Sequence, residues 1–429
     1  MDKRRSDRMI QVVAEKRLTQ TFEAFETPMQ GVQREAYEAL SLLEIPTRRT
    51  EAWKYTPVKR ITDQAWKRPV GQGKFDIHSL ELPSIDAYVL LIVDGVVDSE
   101  QSSFPALDDV ICKPLSQAMD SHPAVQEIHG KQGNHQNELF VAANMAFSED
   151  GVYVSVGRNI KVDRPVHIVH VHTQAETAVF TRHIFDVAQG AEVRIVQSFF
   201  HLADPIHSNV VSEIRVADNA QCTIDKFQSG STQSYHYSTE EVHQGRDATF
   251  TLNTITIDGA WTRNDPQVRL QGENSICHLN GAYMPTASEL VDNHSIIDHL
   301  VPNCESHELY KGVVYDRSKG VFNGKVFVRP DAQKTNAYQQ NANIVMSDRA
   351  SMNSKPELEI YADDVKCSHG STTGQLDKEA LFYLQCRGLD RDKAKQLLIN
   401  AFVGEVIEKL DSDIQDYAWA RLSEKLEGR

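Results

Sequence analysis

The chain has 429 residues, enough for about two or three domains and for a core that needs no disulfide or metal staples. Its 40% hydrophobic and 24% charged content is that of an ordinary globular protein. A formal charge of −15 argues against tracking a phosphate backbone, which draws on clustered Lys and Arg, so no nucleic-acid partner is expected.

The first residues are basic, but no apolar run long enough for a signal peptide follows them. Residues 7 to about 44 are rich in Glu, Gln, Arg and Ala. Met9, Val12, Val13, Leu40 and Leu43 recur there at helical spacing, and Pro46 stops the run. The polar stretch Pro69 to Lys74 reads as a linker. The longest apolar stretch, Ala87 to Val97, is broken by Asp94 and is too short to span a membrane. Cys112, Cys222, Cys277, Cys304, Cys367 and Cys386 are scattered without a CxxC pair. That usage fits a reducing compartment, and the expected location is the cytoplasm.

From about Ala87 to Gly370 the pattern changes to short alternating segments, as in Val152–Val156, His167–His172, Glu192–Val196 and Thr249–Ile257. Period-two alternation rich in β-branched residues predicts strands, with nothing of helical length between them, which argues against βαβ units. A turn residue, a small residue and then alternating apolar positions recur at Gly190-Ala191, Asn219-Ala220 and Asp247-Ala248, with a looser copy at Asn274-Ser275. By subtraction the starts lie 29, 28 and 27 residues apart. Such a period predicts the coils of a β-solenoid. Hairpins of a β-sandwich also repeat at such distances, so both architectures stay open on spacing.

From Leu376 onward the texture is helical. One helix ends at Cys386-Arg387-Gly388, and Asp390 is placed to cap the next. Ala394, Leu397, Leu398, Ala401 and Phe402 then form an apolar stripe. Most of it is expected to pack on the solenoid, leaving part to receive a partner.

Cys367 and His369 follow a predicted strand, so thiol and imidazole project from one face. Both are ligand types that iron and zinc accept, but two are too few to close a site, so the rest would come from elsewhere, such as another chain. On spacing alone, a buried Cys beside a hydrogen-bonded His with no metal role is the favoured account. His294, His299, Cys304 and His307 match no zinc-finger spacing and read as polar residues stacked along coils. His167, His170 and His172 lack an acidic or thiol companion and read as an exposed strand face. Gly320 to Val326 has three residues between its glycines where a phosphate loop needs four, and Val326 where that loop needs Ser or Thr. The chain is therefore not expected to be an ATPase. Asn293-His294-Ser295 fits a glycosylation triplet that a cytosolic chain would not use. No GxSxG, HExxH or GxGxxG pattern occurs. A β-solenoid polysaccharide lyase or hydrolase would need an acidic or basic cluster on a solvent face, and none is evident.

The runs Leu309 to Val314, Gly320 to Asn336 and Lys355 to Gly370 resemble the SufB/SufD scaffold family of iron–sulfur cluster assembly. Gln375-Leu376-Asp377, Leu381 to Gly388, Ala394 and Ala401-Phe402 extend the likeness, and Arg49 to Thr56 resembles the SufD branch in particular. Residues 75 to 180 show no such resemblance. The likeness implies a mainly β fold: a right-handed parallel β-helix core (residues 81–372) between an N-terminal helical region (1–80) and a C-terminal helical domain (373–429). It implies a non-catalytic scaffold that pairs with a SufB-like paralogue through the β-helices and binds a SufC-like ABC ATPase through C-terminal helical segments. A homodimer is allowed in isolation. The family histidine at the SufB–SufD interface matches His369, and the cysteine of that motif is Cys367. The essential SufB cysteine has no counterpart in Gln339 to Ser347, so this chain alone should hold no stable cofactor. The expected cargo is a transient iron–sulfur cluster shared with the partner, and the complex leaves room for a reduced flavin.

Overall fold

The computed structural model describes residues 18–28 and 30–427. The predicted helical residues Met9, Val12 and Val13 lie outside the described residues. The centre is a parallel β-solenoid: two facing sheets, of ten and eleven strands, to which successive coils add strands in turn. The solenoid rather than the sandwich is what the repeat encodes. Its turn residues Gly190, Asn219, Asp247 and Asn274 all sit in the left-handed region, and Asn303 and Lys334 extend the set by two coils. Their φ values run from +55° to +69°, where Gly, Asn and Asp are the least strained. The small residues behind them, Ala191, Ala220, Ala248, Ser275, Cys304 and Thr335, are fully buried and let each corner turn tightly. The N–H groups of Gly190, Asn219, Asp247, Asn303 and Lys334 donate to the following coil at 2.6–2.9 Å.

Between the sheets, inward residues form rows that run the length of the stack. One passes through Cys222, Phe250 and Cys277, and another through Ile224, Leu252 and Leu279. At one end the antiparallel strands Val96–Asp98 and Val110–Pro114 close the two sheets. At the other, Lys366–Gly374 and the short strands Ser351–Ser354 and Glu357–Ile360 are the last, and among the described residues no strand follows them.

Three expectations are corrected. Helices do interrupt the strand zone, at Leu115–Ser121 and Leu139–Phe147. All nine residues of the second are buried, so its sequence is apolar on every side and shows no amphipathic period. It packs between helix Gly31–Leu42 and the outer sheet face. His167, His170 and His172 are buried rather than exposed, because both faces of their strand are covered. His170 stacks on Phe199 at 4.4 Å and His167 shares a 2.9 Å hydrogen bond with Ser198. Burial drives all three imidazoles towards the neutral form. In helix Arg391–Ile407 the predicted stripe faces the core only in part: Ala394 is fully buried and Phe402 packs against the core cluster. Leu397 and Ala401 are exposed, and Ile399, Val403, Val406 and Ile407 are buried instead. The helix carries two apolar faces, and the broad surface around Phe227, Ile255 and Leu309 takes the β-branched one. Helix Ser412–Glu427 adds Ile414, Ala418 and Leu422 to the same cluster.

The stretch Pro69 to Lys74 forms neither helix nor strand, yet it is tied to the sheet. Val70 donates to Gln174 at 3.0 Å and Gly73 to Asp94 at 3.1 Å. The block Arg49 to Thr56 clasps the outside of the stack. The Arg263 guanidinium lies 3.9 Å from the Trp53 ring centre and donates to Asp292 at 2.8 Å, which also accepts from Thr56 at 2.6 Å. No described helix is long and apolar enough to cross a membrane.

A buried charge anchors the helical insertion. Glu213 accepts from the backbone N–H groups of Gly130, Lys131 and Gln132 at 2.9–3.1 Å and pairs with Arg182. Removing one member of a fully buried pair strands the other. Glu213→Ala is expected to cost about 3–5 kcal/mol by chemical denaturation. A loss below about 1 kcal/mol, the range of exposed pairs, would show that the pair is dispensable.

Candidate functional site

The terminal strand Lys366–Gly374 continues the inward rows to the open end. Cys367 is in register with Ala337, which is in register with Ser306, which in turn faces Cys277. His369 follows Gln339, Glu308 and Leu279 in the next row. The two side chains therefore share one face, as the alternation of a strand requires. Deeper in the stack the same rows are sealed, but with no coil beyond them Cys367 is half-buried and His369 exposed. The second row changes character on the way out, from Ile224, Leu252 and Leu279 to Glu308, Gln339 and His369.

Burial pushes the Cys367 thiol above its ordinary range, opposed only by the Ala337 backbone. Alone it is a weak nucleophile and a poor ligand, since the thiolate is the reactive form. A metal ion or a docking cation would have to draw the proton off. Glu308 accepts from Ser295 and from Gln339, yet burial outweighs both contacts and raises its carboxyl to about 7. Beside this row the end of the stack is polar. Ser371 bonds Ser354 at 2.7 Å, Ser354 bonds Asn341 at 2.8 Å, and Asn343 donates to Asn341 at 2.7 Å.

On the outer face the row Thr251, His278, His307, Tyr338 and Ser368 lines a groove of about 780 Å³, walled opposite by Glu405 and Lys409. The His278 and His307 rings stack at 5.3 Å, and His307 and Tyr338 at 5.5 Å. His307 is thus a stacked coil residue, as its spacing predicted. Its sequence companions go elsewhere. His299 bonds Ser306 at 2.9 Å, Cys304 contacts Ser275 at 3.3 Å, and His294 is buried. Among the described residues no three His, Cys, Asp or Glu side chains are grouped to hold a metal ion. Two ligands at an open margin remain too few for a closed site. The run Gly320 to Val326 lies inside strand Lys319–Val328 and forms no loop.

Glu308 and Gln339 were not legible in the sequence, where each is one polar residue in an alternating strand. The exposed Phe382 and Tyr383 were also passed over. They lie on helix Lys378–Cys386, which Asp377 caps and which buries no residue.

Residues 8–168 match the family region described as "SufBD protein N-terminal region". Residues 170–402 match "SUF system FeS cluster assembly, SufBD core domain". The chain belongs to the SufBD family. Iron–sulfur cluster assembly protein SufD of Escherichia coli is 30% identical to it over 415 residues, 95% of each chain. A SufBD family protein of Synechocystis is 30% identical over 390 residues, 87% of this chain and 86% of that one. SufD of Bacillus subtilis is 26% identical over 303 residues, 69% of each. The N-terminal match takes in most of residues 75 to 180, where the sequence alone showed no likeness, and places the buried helix Leu139–Phe147 within the family.

The raised carboxyl of Glu308 has a stability consequence with a definite sign. The folded state holds this proton more tightly than the unfolded chain, whose carboxyl has the ordinary value of 4.5. Its contribution therefore falls as pH rises from about 5 to about 7 and is flat above. Glu308→Gln is expected to gain stability relative to the parent across that interval, by up to about 3 kcal/mol. Urea denaturation of both proteins at pH 5 and pH 8 measures the difference, and parallel curves would contradict it.

Proposed function

We propose that this SufBD family chain is the SufD-type scaffold subunit of an iron–sulfur cluster assembly complex in the cytoplasm. It pairs with a SufB-like paralogue, binds a SufC-like ABC ATPase, and catalyses no reaction itself. The observation that carries this proposal is the open end of the solenoid. Among the described residues one edge of the terminal strand is unpaired, and the strand presents Cys367 and His369 on a shared face. An exposed strand edge is a template for a second chain. Tyr338, Ile360 and Tyr361 lie exposed on the last coils and give that contact apolar area.

The cluster is cargo. A thiol and an imidazole on this chain, completed by the partner's thiolate, make a ligand set that neither chain offers alone. The solenoid keeps these two groups in fixed relation, and ATP-driven movement of the docked ATPase shifts the interface that exposes them. Six cysteines without a disulfide agree with a reducing compartment. Helix Lys378–Cys386, with Phe382 68% and Tyr383 57% exposed, is the surface proposed for the ATPase.

In the reconstituted complex, His369→Ala is expected to leave assembly of the subunits intact while lowering iron and sulfide loading. Full loading would remove His369 from the mechanism. Phe382→Asp is expected to weaken ATPase binding by about 2 kcal/mol, on the order of 30-fold, as loss of an aromatic anchor does. The melting temperature of the isolated chain should not change, because Phe382 is exposed. Unchanged affinity in a calorimetric titration would move the ATPase surface elsewhere.

A further inference from the structure

Gln339 stands one strand behind His369 in the same inward row. Its side chain is buried, and its Nε2 donates to the Glu308 carboxylate, which also accepts from Ser295 Oγ. A carboxylate takes the donor end of an amide, so this contact decides which way round the amide sits and turns Oε1 away from Glu308. That Oε1 is shielded from solvent, and no group among the described residues donates to it. A buried acceptor left without a donor is open to one that arrives on assembly.

The opposite sheet is shaped around the same amide. A Cβ at Gly324 would collide with Gln339 Nε2 and Cδ, so the second glycine of the Gly320 to Gly324 run keeps this space open. The motif that fails as a phosphate loop thus has a packing role here. Ser295, Glu308 and Gly324 together fix the Gln339 amide in the strand next to the one that carries His369.

We infer that Gln339 is a positioning residue for His369: when a sister chain closes over the terminal strand, Gln339 Oε1 accepts a ring N–H of His369. The ring's other nitrogen is then unprotonated and turned towards the shared cluster. A histidine that binds metal through one nitrogen is oriented by the acceptor that takes the N–H of the other. The inference rests on the proposal that His369 is a cluster ligand, and the experiment separates the two.

The experiment is a double-mutant cycle on the rate of cluster formation in the reconstituted complex, read as iron and sulfide bound per complex. Gln339→Leu is expected to slow formation about 10-fold, the lower end for loss of an outer-sphere partner. In a His369→Ala background the same substitution should add nothing, because the imidazole it acts through is gone. Gly324→Ala, which displaces the amide without changing its chemistry, should slow formation in the same His369-dependent way. The exchange Glu308→Gln with Gln339→Glu keeps the buried hydrogen bond and restores an acceptor facing His369, so it should recover most of the rate. Size-exclusion chromatography confirms that each variant still assembles. An unchanged rate in Gln339→Leu, an equal loss in both backgrounds, or no recovery in the exchanged pair would overturn the inference. A His369→Ala complex that forms clusters at the parent rate would instead overturn the proposal beneath it.

Discussion

In-register stacking of parallel coils is the constraint on which the rest of this molecule depends. Each strand bonds residue for residue to its neighbours, so an inward position in one coil is inward in all of them. Side-chain rows are therefore inherited down the stack, and their members are held by the ladder at about 4.8 Å. The chemistry of the open margin follows. Cys367 and His369 are the last members of rows that are core everywhere else, and they reach solvent only because the coils stop.

The two ends of the solenoid are handled differently, and that asymmetry separates structure from function. Antiparallel strands of only three and five residues form the first end, and edges that short offer little ladder to a second chain. The last end has no such strand among the described residues, and its polar interior reaches the margin through Asn341, Asn343, Ser354 and Ser371. Further inside, Arg182 pairs with Glu213 and Lys226 with Glu240. Such pairs fix geometry more than they add stability. A stiff frame suits the proposed completion of the site by another chain, because docking need not pay to order the groups on this side.

Much of this was legible in the sequence, for identifiable reasons. The corner residues Gly190, Asn219, Asp247 and Asn274 announced the coils because left-handed turns demand those residue types. The Cys367 and His369 pair was legible because strand alternation alone puts i and i+2 on one face. The copies at Asn303 and Lys334 were not seen, since Cys304 and Thr335 depart from the Ala or Ser pattern, and Lys is no turn signal. Helix Leu139–Phe147 escaped because a helix buried on all sides loses its period. Three histidines in one strand looked like a wetted face, yet the solenoid covers both of its faces. In helix Arg391–Ile407 the predicted stripe held at Ala394 and Phe402 but not at Leu397 and Ala401, because Ile399, Val403, Val406 and Ile407 set a neighbouring face against the sheet. Glu308 and Gln339 acquire meaning through cross-strand register, which no local pattern reveals.

The central claim is that the edge of Lys366–Gly374 is unfilled until a sister chain pairs with it. Hydrogen–deuterium exchange of this strand, with and without the SufB-like paralogue, tests the claim most directly. The account predicts fast exchange at the outward-facing amides of the isolated chain and strong protection of those amides in the complex. Equal exchange in the two states would contradict it.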